Sequence, residues 1–292
     1  MRILDGIGGL AGRYDGFVLD LWGVVHDGAQ PYPGVLDALA RLRALGKRVC
    51  FLTNAPRRAA LIAAQIGRMG VTPELYDGIM SSGELTWRYL DARRTPRADP
   101  WFARLGSRAF HIGPAREHRG LLDGLGIDVA ATPDAADFVL NTGPDPERGP
   151  LSVEPYLPIL AECARHRLPM LCVNPDRAVM VRGQRLICAG ALSERYQIDH
   201  GGDVFEVGKP DPQVYPPVLE VLGIADRSRV LAVGDTPHTD LAGAEAAGLD
   251  AAWALTGLAG DEHGEDPSPE LLAKALAVHA LTPVAAIRAL RW

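Results

Sequence analysis

The chain has 292 residues, 47% hydrophobic and 23% charged, with 30 Lys plus Arg against 36 Asp plus Glu and a net charge of −6. These are globular averages that exclude collagen-like, disulfide-scaffold and largely disordered proteins, and the acidic balance argues against a nucleic-acid partner. The length suits two domains, each able to bury its own core. No apolar run approaches the roughly 20 residues of a membrane span, and Met1-Arg2-Ile3-Leu4-Asp5 lacks the apolar stretch of a signal peptide, so the expectation is a cytoplasmic protein with no membrane partner. Cys50, Cys163, Cys172 and Cys188 show no CxxC spacing and read as buried, reduced thiols.

Along the chain, short β-branched or aromatic runs alternate with helical patterns, as βαβ units around a parallel sheet do. Phe17-Val18-Leu19 stops at Asp20; Leu36, Leu39, Leu42 and Leu45 then predict a helix closed by Gly46. Val49 to Leu52 stops at Thr53 and Asn54, ahead of a helix opened by Pro56, carrying Leu61, Ile62, Ile66 and Met69, and closed by Gly70. The segment 91–100 reads as a linker into a second α/β series. Its strands are Ala109 to Ile112, Phe138 to Leu140 and Met170 to Val173, with a helix from Leu157 to Arg167, and His200-Gly201-Gly202 marks the return. A helix from about Gln213 to Gly223 precedes the run Val230 to Val233, which stops at Gly234 and Asp235. An Ala-rich helix from Leu241 to Gly248, a strand from Ala251 to Leu255 and a helical extension from Pro269 to Trp292 complete the chain. The expected architecture is a doubly wound, Rossmann-like parallel-sheet core of residues 1–91 and 204–292, interrupted by an α/β cap of residues 92–203. Ligands of open α/β sheets bind at the carboxyl ends of the strands, so Asp20, Thr53, Asn54 and Asp235 are expected to converge there.

Four segments in order, Asp20-Leu21-Trp22-Gly23-Val24-Val25, Leu52-Thr53-Asn54-Ala55, Gly208-Lys209-Pro210 and Gly234-Asp235-Thr236-Pro237-His238-Thr239-Asp240, resemble the motifs of the haloacid dehalogenase superfamily. The large insertion between the second and third is similar to the cap of its class IIA branch, which holds p-nitrophenyl phosphate, nucleotide and pyridoxal phosphate phosphatases. The resemblance implies a hydrolase of a small phosphorylated metabolite. Asp20 would be the nucleophile that forms an aspartyl phosphate, Thr53, Asn54 and Lys209 would bind phosphate, and Lys209 would bridge nucleophile and phosphate. Mg²⁺ would be held by Asp20, the carbonyl of Trp22, Asp235 and Asp240. In the cap, Asn174, Asp176 and Arg177 near the Asn-Pro-Asp turn are candidate substrate contacts, although turn chemistry alone accounts for such residues. Thr53 also fits a simple helix N-cap, as does Asp240, and a homodimer is one assembly the reading allows.

One position departs from the pattern. Most phosphatases of the superfamily carry a second aspartate two residues after the nucleophile, where it protonates the leaving oxygen; this chain has Trp22. General acid catalysis contributes about 10²- to 10⁴-fold, so two competing readings stay open: a catalytically weakened phosphometabolite-binding or scaffolding protein, and a dehalogenase-type hydrolase that needs no magnesium. His26 is a candidate substitute proton donor, because imidazole titrates near neutrality.

Overall fold

In the computed structural model all residues except Arg97, Arg116, Arg182 and Glu265 are described, leaving aside the side chains of residues 117–119; Arg97, in the expected linker, lies outside the described residues. Fourteen strands are present among them: β1 Ile3–Leu4, β2 Gly16–Leu19, β3 Arg48–Thr53, β4 Gly78–Ser81, β5 Arg108–Ile112, β6 Asp128–Ala130, β7 Phe138–Asn141, β8 Met170–Cys172, β9 Ala178–Val181, β10 Gln184–Ile187, β11 Val204–Glu206, β12 Val230–Gly234, β13 Asp250–Ala254 and β14 Ala285–Ile287. Seven of them form one parallel sheet in the order β1-β14-β13-β12-β2-β3-β4, and five form a second parallel sheet in the order β11-β8-β7-β5-β6. The hairpin β9–β10 stands apart. No helix among the described residues is long and apolar enough to cross a membrane.

β2 and β12, at the centre of the first sheet, are buried at every position, as strands covered on both faces are. Successive side chains alternate between those faces. Phe17 and Leu19 join one apolar cluster and Val18 the other; Val49 and Phe51 are likewise separated from Cys50 and Leu52. All four cysteines are buried as free thiols.

Several boundaries differ from the sequence reading. The leucines of the helix Val35–Ala44 recur every three residues, a spacing that drifts about 60° per step against the 3.6-residue turn. Leu39 and Leu42 are therefore buried while Leu36 and Leu45 rotate into solvent. The next helix is Ala59–Gly67 and begins three residues after Pro56. Its first turn is satisfied from outside: Glu84 Oε2 accepts from the Ala59 N–H at 3.3 Å and from Arg58 Nε at 2.7 Å. Gly201 closes the cap helix Ala189–His200, and the chain then adds β11 beside β8, so residues 204–206 lie in the second sheet rather than in the core. The C-terminal extension is helical only over Pro269–Ala277; it ends in β14, which pairs with β13 and with the N-terminal β1. Such short apolar strands carry too little periodicity to stand out from a helical pattern.

The chain runs from β2 outward through β3 and β4, and returns after the cap to lay β12, β13 and β14 on the other side. The neighbours β2 and β12 therefore flank the topological switch point, where a crevice opens at the strand ends.

Candidate active site

Asp20 follows β2 and Asp235 follows β12, and the Asp20 N–H donates to Val233 O at 2.9 Å, so the two carboxylates leave the sheet side by side. Asp240 comes from the turn Pro237–Leu241, where its Oδ2 accepts from the Thr236 N–H at 3.1 Å instead of capping the helix that follows. Ligand oxygens of Asp20, Asp235 and Asp240 lie within 4.8 Å of one another, and all three residues are buried. Lys209 Nζ, itself buried, donates to Asp20 Oδ1 at 2.6 Å, to Leu52 O at 3.1 Å and to Asp240 Oδ1. Its three N–H bonds are thereby used, which fixes the ammonium between nucleophile candidate and loop carboxylate.

Three buried carboxylates against one ammonium leave an excess of negative charge. Burial raises the Asp20 carboxyl to about 7, opposed by the neighbouring Lys209 ammonium. Burial, then the charges of Asp240 and Asp20, push Asp235 well above the ordinary carboxylate range. A hard divalent cation with oxygen ligands fits this donor set, since it supplies the missing positive charge. The backbone is shaped around the same oxygens. A Cβ on Gly23, at φ +93°, would stand 2.2 Å from Asp235 Oδ2, and one on Gly257, at φ +58°, would stand 2.0 Å from it. Asp235 Oδ2 also accepts from the Leu258 N–H at 2.7 Å, and Trp253 Nε1 donates to the Asp235 carbonyl at 2.9 Å. Gly257 and Leu258 were not singled out from sequence, although they follow the end of β13, the strand beside β12.

Thr53 ends β3 with its Oγ1 accepting from the Ala55 N–H at 3.3 Å, a local turn rather than a helix cap. The Asn54 side chain is fully engaged by neighbouring groups. Its Nδ2 donates to Asp176 Oδ1 at 2.8 Å and to Lys209 O at 3.0 Å, while its Oδ1 accepts from the Lys209 N–H at 2.8 Å and from Ser82 Oγ at 3.4 Å. That amide ties the second and third motifs to each other and to the cap.

The cap meets the core through Asp176 and β9. Asp176 reaches Asn54, and its desolvation raises the carboxyl to about 6. Asn174 Oδ1 accepts from the Asp176 N–H at 3.1 Å and so shapes the turn. Arg177 is turned away: Nη1 donates to Pro175 O and to Glu206 Oε1, each at 2.8 Å, and Nε to Glu194 Oε1 at 3.3 Å. It braces the cap and lines a third cavity, beside Asp235, rather than either cavity that Trp22 lines. Trp22 Nε1 donates to Met180 O of β9 at 2.7 Å, so the indole that stands in place of the aspartate links the core loop to the cap hairpin. A Cβ on Gly28, at φ +93°, would lie 2.4 Å from the Trp22 ring. His26 packs edge-on against that ring at 5.4 Å between centroids, and its Nδ1 accepts from the Gly28 N–H at 3.0 Å. Burial drives its pKa down to about 4. His26 is therefore neutral near pH 7, which removes the basis for expecting a proton-donating imidazolium there.

A small cavity of about 30 Å³ lies between Asp20, Thr53, Lys209, Asp235 and Asp240 under the hairpin. A larger one, about 260 Å³, opens beside it between the loop after β3 and the cap.

Comparison with known proteins places these features in a family. The family described as haloacid dehalogenase-like hydrolase matches residues 17–128, and the HAD-hydrolase-like family matches residues 206–279. Human chronophin is 28% identical over 257 residues, spanning 85% of this chain and 83% of its own. Among solved structures, a haloacid dehalogenase-like hydrolase from Brucella suis is 30% identical with a TM-score of 0.80, covering 98% of this chain and 99% of that one. A glycerol phosphate phosphatase from Mycobacterium tuberculosis, solved in complex with magnesium, is 26% identical with a TM-score of 0.62 over 85% of this chain and 69% of that one. The chain belongs to the haloacid dehalogenase-like hydrolases, in their class IIA phosphatase branch.

Proposed function

We propose that the chain is a magnesium-dependent phosphomonoesterase acting on a small phosphorylated metabolite through an aspartyl phosphate on Asp20. The observation that carries this reading is the buried cluster of Asp20, Asp235, Asp240 and Lys209 at the switch point of the sheet. Asp20, Asp235 and the carbonyl of Trp22 would hold the cation, with Asp240 completing the charge directly or through water. When bound, Mg²⁺ neutralises phosphate charge and lowers the barrier to attack by an anion.

The residues supply the remaining steps. Lys209 keeps Asp20 oriented, and its charge opposes the burial that raises the carboxyl. The Asp20 carboxylate attacks phosphorus and the ester oxygen leaves with its electron pair; water then attacks the aspartyl phosphate, releasing inorganic phosphate and restoring the carboxylate. The Trp22 N–H is committed to Met180 O, so no side chain at that position delivers a proton to the leaving oxygen. The test is phosphate release across a panel of phosphomonoesters with and without Mg²⁺. Metal-dependent release supports the reading. Metal-independent dehalogenation, or phosphometabolite binding without turnover, would replace it with one of the two competing functions.

A further inference from the structure

The phosphate-sized cavity has two neighbours. It meets the larger chamber at Trp22, Thr53, Asp176 and Val179, and it meets a third cavity, of about 120 Å³, at Asp176, Ala178, Asp235, Thr236 and Leu258. Among the described residues, Asp176 alone lines all three. Whichever neighbour holds the alcohol part of an ester whose phosphoryl group sits at Asp20, the bond to be broken crosses a boundary on which Asp176 stands.

Few groups on those boundaries can carry a proton near pH 7. Ala178, Val179 and Leu258 are apolar, the Trp22 N–H is held by Met180 O, and a threonine hydroxyl does not ionise in that range. Asp235 belongs to the carboxylate cluster and accepts from the Leu258 N–H at 2.7 Å and from the Thr236 hydroxyl at 3.1 Å. His26, neutral near pH 7, lines the larger chamber and not the phosphate-sized cavity. Asp176 remains. Its Oδ1 accepts from Asn54 Nδ2 at 2.8 Å, and among the described residues its Oδ2 has no hydrogen-bond partner, so one oxygen is oriented and the other can meet a ligand. Burial has the largest effect on this carboxyl and raises it, aided by the Asp240 charge and opposed by Lys209, the Asn54 amide and Arg177. An anionic phosphoryl group alongside pushes the same way as burial, toward the protonated form that can donate.

We propose that Asp176, supplied by the cap, is the general acid and base of the reaction in the place left by Trp22. The inference rests on the phosphatase reading and names the proton carrier that reading lacks. In the first half, Asp20 forms its bond to phosphorus as the ester P–O bond breaks; the departing oxygen keeps the electron pair and takes the Asp176 proton, so the alcohol leaves neutral. Water then occupies the alcohol's place, gives a proton to the Asp176 carboxylate and attacks phosphorus. The bond from phosphorus to Asp20 breaks, inorganic phosphate departs, and both carboxyl groups return to their starting states.

4-Nitrophenyl phosphate and benzyl phosphate are close in size, but nitrophenolate departs readily without a proton and benzyl alkoxide does not. Asp176→Asn keeps an oxygen that can accept from Asn54 and removes the acid. With the full chain and Mg²⁺ present, kcat/KM should therefore fall by about 10²-fold or more for benzyl phosphate and by less than about 5-fold for 4-nitrophenyl phosphate. Should the variant fail to fold, the wild type carries the test: across phenyl phosphates whose leaving-group pKa values span about three units, kcat/KM should vary by less than about 10-fold, because a donated proton offsets the developing charge. Equal losses on both esters, no loss on benzyl phosphate, or a steep dependence in the wild type would each overturn the inference and leave the phosphatase reading intact. Absence of Mg²⁺-dependent release from either ester by the wild type would instead sink that reading, and the inference with it.

Discussion

The two adjoining cavities are built on opposite principles. Around the small one, four buried charged groups at the ends of core strands and loops are held by short hydrogen bonds, with glycines packed against the carboxylates. Around the large one, side chains from core loop and cap meet mainly through apolar contact, and polar groups are turned into their own local bonds. Charge stabilisation demands fixed dipoles at defined positions, whereas apolar selectivity demands only volume and exclusion of water. On the proposed function, chemistry would reside at the sheet edge and selectivity in the seam between core and cap.

The sharpest way to break this division is at the nucleophile. Asp20→Asn keeps the shape of the side chain but removes its nucleophilicity, so turnover should fall by at least about 10⁴-fold while circular dichroism stays unchanged. Retained turnover would remove Asp20 from the reaction and with it the assignment of the small cavity. Next in size is the metal. Chelation with EDTA should suppress phosphate release by at least about 10²-fold with recovery on adding Mg²⁺, and Asp235→Asn should weaken Mg²⁺ binding measured by calorimetry. Chelator-resistant turnover would leave the carboxylate cluster without a cation to hold.

A smaller effect concerns the buried imidazole on the wall of the larger cavity. His26 has a folded-state pKa of about 4 against about 6.5 in an unfolded chain, because burial disfavours its charged form. Its contribution is fully present above pH 6.5 and disappears as pH falls through that window toward 4, where the unfolded state takes up the proton first. The loss should be about 2 kcal/mol between pH 7 and 5. Urea unfolding at both values measures it, and His26→Asn, whose Oδ1 can still accept from the Gly28 N–H, should lose correspondingly less. Equal losses in the two proteins would show that His26 is not buried as described.

What the sequence revealed divides along the same line as the cavities. Asp20 and Asp235 were legible because each ends an apolar strand, Lys209 and Asp240 because their segments resemble the motifs of a known family, and the structure gathers all four. The chamber was not legible: Ile62, Pro114 and Leu186 lie on separate elements, and nothing in a linear pattern shows that their apolar faces share one space. The partners of Asn54 and Arg177 were illegible for a related reason. A polar side chain at a turn reads the same whether it faces a ligand or a neighbour, and the partners of both, Asp176 at one site and Glu206 at the other, are distant in sequence. The N-terminal β1 and C-terminal β14 escaped notice because each is two or three residues long and stabilised by pairing with the other.

The mildest change probes the contact that joins the two regions. Trp22→Phe keeps an aromatic ring beside His26 and Gly28 but deletes the indole N–H that bonds Met180 O. Loss of one such bond costs about 1 kcal/mol, a minor fraction of a domain's stability, so the melting temperature should move by only a few degrees. The effect on the hairpin should be larger in proportion, because among the described residues β9 and β10 pair with each other and join neither larger sheet. Hydrogen exchange of the β9–β10 amides should accelerate by about 5-fold while exchange in β2 and β12 is unchanged. If the hairpin closes the site, KM should rise by a similar factor with little change in kcat, since the closed state still aligns Asp20 and Lys209 as before. A fall in kcat at constant KM would instead place the Trp22 N–H in the chemical step. Unchanged exchange in the hairpin would mean that packing of the ring, not the hydrogen bond, holds core and cap together.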